Sequence, residues 1–225
     1  MADNAMPQEV SKVQEYPRHK TRWLLAAGIV VLVAAGIWVW KDVLEHHLIL
    51  KRFGVVEQGL IYRSGQLSPP LIKKFLTQRN IRVIIDLTFE DPNDFDQQAE
   101  KKTAEELNVR ILRYPLRGDG TGDVNNYARA ITAIADAEKN KLPVLVHCAA
   151  GAQRTGGVIA AYRLLVQKKD PAFVISEMKR YGWKTKGNPE LLTYLNSNMA
   201  VLARLLKQTG VIDEIPAQPP QLPSN

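Results

Sequence analysis

Apolar and polar positions vary along the chain with periods typical of short strands and of helices. Strand-like runs, rich in β-branched residues, lie at 83–87, 109–114 and 144–147, and two shorter ones flank Gly59. Helical periodicity predicts helices that start near Ser68 and Asp123, and others at 95–107, 155–167, 171–181 and 189–208. This alternation predicts an α/β fold with a central, mostly parallel sheet flanked by helices.

A long apolar segment precedes this region. Residues 23–40 carry no charged side chain, and a helix of that length spans about 27 Å, close to the hydrocarbon thickness of a bilayer. Tryptophans lie at both ends of the segment, where interfacial aromatic residues belong. We therefore expect one N-terminal transmembrane helix. A buried core helix and a signal peptide cleaved near 33–35 are the alternatives, and the apolar run beyond residue 35 favours an uncleaved anchor.

Basic residues flank the apolar segment unequally. Four precede it and one follows it closely; these are Lys12, Arg18, Lys20 and Arg22, and then Lys41. The positive-inside bias therefore predicts a single-pass protein whose larger part is extracytoplasmic. The predicted organisation is a cytoplasmic segment 1–22, an anchor 23–40, a linker 41–53, a folded domain 54–210 and a disordered, Pro-rich tail 211–225.

The composition limits the classes of partner and cofactor that we expect for the protein. The net charge is +7, and the excess of basic residues belongs to 54–210, which suits an anionic partner. No nucleic-acid-binding module is recognisable, so we expect no nucleic acid partner. The single cysteine excludes an internal disulfide and a cysteine-based metal cluster, and the four histidines show no ligand spacing. We expect neither a metal nor an organic cofactor.

One segment carries candidate chemistry. Residues 147–156, with the sequence HCAAGAQRTG, lie between a predicted buried strand and a predicted helix. A loop that enters a helix N-terminus directs several N–H groups to one point, where the helix dipole also favours an anion. Arg154 can bind two phosphate oxygens with its planar guanidinium. The other candidate phosphate-binding residues are Ala149, Ala150, Gly151, Ala152 and Gln153.

Cys148 is the candidate nucleophile of this segment. A helix N-terminus and a nearby cation lower the pKa of a thiol from about 8.5, so a thiolate would face the bound phosphorus. His147 is expected to orient the loop through hydrogen bonds to its backbone, and Thr155 to donate its hydroxyl to the sulfur. The alternative for Cys148 is a buried structural thiol. A nucleotide-binding loop is excluded, because Gly157 stands where that motif requires lysine.

The pattern of His-Cys, five residues, Arg and Thr resembles the signature of the protein tyrosine phosphatase superfamily. The region 55–208 is similar to its small dual-specificity-like branch, and 61–66 resembles the opening of many bacterial and fungal members. With the predicted anchor, the chain is identified as a membrane-anchored bacterial member. The resemblance implies hydrolysis of phosphomonoesters through a phosphocysteine. The implied substrates are phosphotyrosine and also phosphoserine or phosphothreonine of proteins.

The resemblance also implies a general acid on a mobile loop about thirty residues before the cysteine. Asp119 lies at this distance from Cys148 and is flanked by glycines. Asp123 is the rival candidate, although its position as a helix N-cap explains it adequately.

The substrate stays open at this point. Phosphoinositide phosphatases of the superfamily place lysine in the signature loop, where this chain has Ala149 and Ala152, so a lipid substrate is less favoured. Four other basic residues can supply charge near the site, although solvated surface charge is the preferred interpretation: Arg63, Arg117, Lys184 and Lys186. The alternative functions are a non-catalytic phosphate-binding module, a phosphatase of phosphoinositides or other small phosphorylated metabolites, and a sulfur-transfer or arsenate-reducing enzyme.

Overall fold

A computed structural model of the protein describes residues 18–39 and 50–223. Parts of the predicted organisation therefore fall outside the described residues. These are positions 1–17 of the N-terminal segment, Trp40 of the predicted anchor, positions 41–49 of the linker and positions 224–225 of the tail.

The chain divides into two compact units, Met1–Glu45 and His46–Asn225. In the first unit, helix α1 covers Arg18–Val39. This helix corrects the sequence-based expectation, because none of the helices in the described ranges combines the length and the apolar character that crossing a bilayer requires. A membrane span needs about 20 consecutive apolar residues, whereas the sequence of α1 begins with a basic stretch that ends at Arg22.

Three linked predictions are therefore wrong. They are the transmembrane helix at 23–40, the membrane as a partner through that helix, and the single-pass localisation with an extracytoplasmic catalytic domain. The apolar run was long enough in sequence to suggest a span, but the helix that contains it does not meet the requirement over its described residues.

The second unit is an α/β domain, as predicted. Its strands are β1 (Gly54–Glu57), β2 (Ile61–Gly65), β3 (Val83–Asp86), β4 (Arg110–Arg113) and β5 (Val144–Cys148). Its described helices are α2 (Pro69–Gln78), α3 (Phe95–Glu106), α4 (Val124–Lys139), α5 (Gln153–Leu165), α6 (Pro171–Arg180) and α7 (Pro189–Gln208). The strand order is β1-β2-β5-β3-β4. The edge pair β1–β2 is antiparallel and the other pairings are parallel, so the sheet is mixed.

Successive residues of the central strands point into two different cores. Ile84 and Leu145 pack with apolar residues of α2 and α3, whereas Ile85 and Val146 pack with residues of α4 to α7. Helices cover both faces of the sheet, and therefore β3 and β5 are buried over their whole length. The same alternation sends the two residues at the end of β5, His147 and Cys148, to opposite faces.

The helix N-termini differ in a way that bears on ligand binding. Asp94, Asp123 and Asp170 cap α3, α4 and α6 by accepting hydrogen bonds from first-turn N–H groups. Helix α5 follows Ala152, which offers no capping side chain. The first N–H groups of a helix have no partner within it. Those of α5 are therefore available to an anion, and α5 is the helix that follows the signature loop.

The predicted disordered tail differs from the structure up to residue 223. Ile212 and Leu222 are buried and belong to the core that α4 to α7 form. Asn196 of α7 also holds the backbone of Leu222, whose N–H donates to Asn196 Oδ1 at 2.8 Å and whose carbonyl accepts from Asn196 Nδ2 at 3.0 Å. The burial of these two apolar side chains offsets part of the entropic cost of ordering this segment.

Candidate active site

Cys148 is the last residue of β5 and its side chain is buried. The four residues that follow form the signature loop, and Gln153 begins α5. Gly151 adopts a left-handed conformation with φ of 73° and donates its N–H to Cys148 Sγ at 3.2 Å. The loop therefore curls around the sulfur between the carboxyl end of a parallel strand and the N-terminus of a helix.

The surroundings of Cys148 favour its ionised form. Burial alone acts to raise the pKa of the thiol. The hydroxyl and N–H of Thr155, the charge of Arg154 and the N–H of Gly151 outweigh it, so the pKa lies below its ordinary value of 9.0. Thr155 is fully buried, and its hydroxyl is one of the groups that favour the ionised sulfur. A lowered pKa increases the fraction of the nucleophilic thiolate.

Arg154 is the second residue of α5 and is half-buried. Its Nε is buried and makes no hydrogen bond to any residue of the described chain. A buried donor without a partner costs free energy, which a phosphate oxygen in bidentate contact with the guanidinium would recover. Cys148 and Arg154, which five intervening residues separate in sequence, thus meet at one site, where the positive charge of Arg154 acts on the thiol.

Asp119 lies in the loop between β4 and α4, and its side chain is exposed. Its Oδ1 accepts hydrogen bonds from the N–H and the hydroxyl of Thr121 at 2.9 and 2.8 Å, and its carbonyl accepts one from Asn188 Nδ2. The next residue, Gly120, packs closely against the beginning of α5, because a Cβ there would lie 3.0 Å from the carbonyl oxygen of Gln153. The loop that carries Asp119 is therefore a neighbour of the signature loop.

Asp123, the rival acid, is the N-cap of α4, which confirms its predicted structural role. Its Oδ1 accepts hydrogen bonds from the backbone N–H and from the side-chain amide of Asn125, both at 2.9 Å. The two acidic residues thus differ in task, since Asp123 is engaged by its own helix and Asp119 by a short turn next to α5.

Arg63 is a component of the site that the preferred sequence interpretation missed. It was expected to be a surface charge, but it is 1% exposed. Its Nη2 donates to the carbonyl of Gly151 at 2.7 Å, and its guanidinium carbon lies 4.0 Å from the centre of the Tyr181 ring. Burial lowers the pKa of Arg63 to about 10, so it remains charged at neutral pH. Lys184 and Lys186 are exposed, in agreement with the surface interpretation.

His147 differs from its expected role in orienting the loop. Its Nε2 lies 3.2 Å from Glu100 Oε1 of α3, and both side chains are 1% exposed. Neither ring nitrogen makes a hydrogen bond to the loop backbone in the part of the chain that is described. The reason is strand alternation: His147 points to the sheet face covered by α3, away from Cys148.

Asp86 completes a buried cluster with His147 and Glu100. Asp86 pairs with His147 in the β3–β5 register, and Arg113 Nη2 lies 3.1 Å from Asp86 Oδ2. Ligand atoms of the three residues lie within 4.8 Å of one another, a donor set that can approach a metal ion. The two carboxylates are, however, balanced by Arg113 and by a protonated imidazole, so we assign a buried ion-pair network. The sequence signal for it is Asp86, a charged residue that ends a fully apolar strand.

This network predicts how stability depends on pH. Burial acts to lower the pKa of His147, but the charges of Glu100 and Asp86 outweigh it and raise the pKa to about 9. Because the folded pKa lies above the ordinary value of 6.5, this stabilisation is complete below pH 6.5 and is lost as the pH rises through 9. We expect the free energy of unfolding to fall by up to about 3 kcal/mol across this range.

Urea unfolding at several pH values measures this effect, and a Cys148→Ser background removes the contribution of the thiol. The variant Glu100→Gln should lose most of the dependence between pH 6.5 and 9. A Glu100→Gln protein whose stability changes with pH as the parent does would contradict the assignment of the ion pair.

Two relatives of known class match the chain in sequence. Over 71 residues it is 38% identical to the dual specificity protein phosphatase OPG106 of Vaccinia virus (strain Western Reserve), which covers 31% of this chain and 42% of the relative. Over 119 residues it is 26% identical to the dual specificity protein phosphatase TpbA of Pseudomonas aeruginosa (strain UCBPP-PA14), which covers 52% and 54%. The chain therefore spans about half the length of these relatives.

Solved structures share the fold. The crystal structure of P. aeruginosa TpbA matches with a TM-score of 0.56 and 22% identity, over 71% of this chain and 91% of that one. The core catalytic domain of the PP-IP phosphatase SIW14 from S. cerevisiae, in complex with citrate, matches with a TM-score of 0.57 and 17% identity, over 73% and 96%. At these identities the likeness is one of fold alone.

A family model decides the classification. The model described as DSP-PTPase phosphatase fused to NAD+ kinase matches residues 37–191, well over half of the chain. This match confirms the resemblance to the dual-specificity-like branch of the superfamily, and the relatives agree with it. The protein therefore belongs to the DSP-PTPase phosphatase family that this model describes.

Proposed function

We propose that the protein hydrolyses phosphomonoesters through a phosphocysteine intermediate, with phosphotyrosine of proteins as its main substrate. Phosphoserine and phosphothreonine are further substrates in this proposal. One observation carries it: a buried thiol with a lowered pKa lies where the amides of a tight loop, an uncapped helix N-terminus and an arginine converge. Such a site both binds a phosphate dianion and stabilises the charge that develops during its transfer.

In this proposal, the amides of residues 149–153 and the guanidinium of Arg154 hold the phosphate. The N–H groups at the start of α5 are aligned with the helix dipole, which favours the dianion. Arg154 has a buried Nε that needs a partner, and its planar fork matches two phosphate oxygens. The charge of Arg154 serves twice, because it also stabilises the thiolate.

The reaction proceeds in two displacements at phosphorus. The Cys148 thiolate forms a sulfur–phosphorus bond while the bond to the leaving oxygen breaks, and Asp119 donates its proton to that oxygen. Water then attacks the phosphocysteine, and the Asp119 carboxylate accepts a proton from it as the sulfur–phosphorus bond breaks. The hydroxyl of Thr155 stabilises the departing thiolate. Phosphate leaves, and the enzyme returns to its initial protonation state without any cofactor.

The rim of the site supports an aromatic phosphate ester. Ala149 and Ala152 stand where phosphoinositide phosphatases of the superfamily place lysine, so the signature loop offers no lysine to a polyphosphorylated ligand. Phe89 is 62% exposed in the loop after β3, and β3 ends at the same edge of the sheet as β5. An exposed aromatic ring there offers a stacking surface to a phosphotyrosine ring. A TpbA variant has been crystallised in complex with pTyr.

The experiment that tests the proposal is hydrolysis of p-nitrophenyl phosphate by the full chain, in EDTA and with vanadate as inhibitor. A panel of phosphotyrosine, phosphoserine and phosphothreonine peptides, phosphoinositides and inositol phosphates then ranks kcat/KM. We expect the phosphotyrosine peptide to rank first. Phosphate binding without turnover would identify a non-catalytic module. A higher kcat/KM for phosphoinositides or metabolites would make these the proposed substrates in place of phosphotyrosine. Activity on a thiosulfate donor would indicate sulfur transfer.

The general acid has its own test. We expect Asp119→Asn to lower kcat/KM about 100-fold with phenyl phosphate, whose leaving group needs protonation. This ratio reports the formation of the phosphocysteine and not its later hydrolysis, in which Asp119 acts as the base. The loss in kcat/KM should be much smaller with p-nitrophenyl phosphate, because p-nitrophenolate leaves without a proton. Steady-state kinetics with both esters measures this difference.

Asp123→Asn is the matched control for this test, since asparagine caps a helix as well as aspartate does. Its kcat should stay within about twofold of the wild type with either ester. If Asp123→Asn instead showed the leaving-group dependence expected of Asp119→Asn, the acid would have to be reassigned to Asp123.

A further inference from the structure

Three consecutive carbonyl groups of the signature loop are held from outside the site. The donors all come from the segment 52–66, which includes β1 and β2. The bonds are Gln66 N–H to Ala149 O at 3.2 Å, Arg52 Nη1 to Ala150 O at 2.8 Å, and Arg63 Nη2 to Gly151 O at 2.7 Å. We call these three donors the carbonyl clamp.

The direction of these carbonyls determines what the loop can bind. The N–H and C=O of a peptide unit point in opposite directions, so a loop that presents its amides to an anion must turn its carbonyls away. Carbonyls turned into the protein need donors of their own. The carbonyl clamp supplies one donor to each of the three, so it holds the loop in the orientation that the anion requires.

Arg63 is the most buried member of the carbonyl clamp. Burying a guanidinium is costly unless it is well partnered, and Arg63 is fixed between the Gly151 carbonyl and the face of the Tyr181 ring. It also lies beside the first turn of α5, because a Cβ on Gly156 would lie 4.0 Å from Arg63 Nη2. Its charge therefore adds to the positive potential behind the anion site, on the side away from the substrate.

Arg52 reaches the loop from the surface. It is exposed, but its guanidinium lies close over Gly182, where a Cβ would be 2.5 Å from Arg52 Nε. The backbone around it also holds β2, because Gly65 donates its N–H to the carbonyl of Lys51 at 2.6 Å. Arg52 therefore contacts the loop from a position fixed by two other segments.

We propose that Arg63 is a positioning residue that holds the carbonyls of the signature loop away from the site, so that the amides of the loop face the substrate phosphate. Arg52 contributes to the same role to a smaller extent. This inference rests on the proposed function. Arg63 does not touch the substrate and acts through the loop. Lysine at position 63 would keep the charge but lose the planar fork that stacks on Tyr181 while it donates to Gly151.

The test compares Arg63→Met and Arg63→Lys with the wild-type full chain. We expect Arg63→Met to lower kcat/KM about 100-fold, as removal of an oxyanion donor does, and to weaken vanadate binding at least about tenfold. The pH midpoint for alkylation of Cys148 by iodoacetamide should rise, because the loop amides no longer stabilise the thiolate. The kcat/KM, the vanadate affinity and the alkylation midpoint of Arg63→Lys should lie between those of the wild type and those of Arg63→Met. Arg52→Met should show the same changes to a smaller extent, roughly three- to tenfold.

Arg163→Met is the matched control, because Arg163 is also buried but pairs with Glu177 through Nε and Nη2 at 3.1 and 2.8 Å. It should lose stability while its folded form keeps kcat/KM and the alkylation midpoint near wild-type values. The inference is overturned if Arg63→Met stays within threefold of the wild type in both kcat/KM and vanadate binding.

The proposed function fails separately from this inference. A wild-type chain that does not hydrolyse phosphate esters overturns the proposed function, and vanadate binding then decides the inference alone. Tenfold weaker binding by Arg63→Met supports the positioning role. Equal binding by the two proteins, or no binding by the wild type, overturns it.

Discussion

Replacement of Cys148 by serine is expected to abolish turnover, with a loss of at least about 10⁴-fold in kcat for p-nitrophenyl phosphate. The hydrogen bonds and the charge around Cys148 lower the pKa of a thiol and produce a thiolate. A serine hydroxyl ionises at a far higher pH, and the same surroundings cannot bring it to an alkoxide near neutrality.

Binding should survive this substitution. The amides of the loop and the Arg154 guanidinium stay in place, so the Cys148→Ser variant is expected to bind a phosphotyrosine peptide within about threefold of the wild-type Kd. Calorimetry on the variant measures the Kd, and steady-state kinetics measures kcat. Arg154→Lys is the complementary variant, because it should weaken binding and turnover together.

Residual activity decides the assignment of the nucleophile. A Cys148→Ser protein that kept more than about 1% of wild-type kcat would show that the thiol is not the nucleophile. Circular dichroism checks that the variant is folded. We expect a folded variant, because serine is close in volume to cysteine and the site is otherwise unchanged.

The second large effect is expected for Gly151→Ala. A Cβ at this position would lie 2.4 Å from the backbone nitrogen of Gly65 and 2.6 Å from the carbonyl carbon of Ser64. These atoms belong to β2, which pairs with β5 in a register that sets Gly65 opposite Cys148. Neither strand can yield without breaking the sheet, and therefore the loop has to move.

The displaced loop is expected to lose most of its function. Gly151 donates to the sulfur and its carbonyl accepts from Arg63, so both sides of the loop are disturbed by one methyl group. We expect kcat/KM to fall by roughly 100- to 1000-fold and the free energy of unfolding by about 2–4 kcal/mol. Kinetics at saturating and low substrate, with urea unfolding of the same preparation, measures both.

Gly59→Ala separates the clash from backbone strain. Gly59 has φ of 78°, close to the 73° of Gly151, but a Cβ there would meet no atom within 4 Å. Its alanine variant should lose only about 1 kcal/mol of stability and keep full activity. If Gly151→Ala behaved as Gly59→Ala does, the close approach of the loop to β2 would have no functional importance.

The sequence predicted the candidate nucleophile because the signal is local. Cys148 stands directly between an apolar β-branched run and a helix, and the spacing to Arg154 corresponds to one loop and the first residues of α5. The helices and strands of the domain likewise lie within a few residues of their predicted positions, since each is set by its own period and by its turn residues. The role of Asp123 as a cap followed from its position before a helical pattern.

Contacts between segments that are distant in sequence could not be predicted from local sequence patterns. Arg63 appeared to be one basic residue among many, and its burial depends on the place of β2 beside β5, with Tyr181 packed over it. Glu100 meets His147 only because α3 covers the sheet face to which position 147 points. Neither the register of a parallel sheet nor the packing of a helix on it has a local pattern in sequence.

Patterns along the chain were sufficient to predict the α/β domain, the candidate nucleophile, the candidate phosphate-binding arginine and the loop that joins them, because adjacent residues encode each of these. The prediction for the apolar run at 23–40 was wrong, because the helix that contains it does not combine the length and the apolar character of a span over its described residues. Other features follow only from the way in which the elements pack: which groups support the loop from behind, which carboxylate faces His147 and where the tail lies. Those choices depend on how separate elements meet, and the free energy of that packing belongs to pairs of segments and not to either one alone.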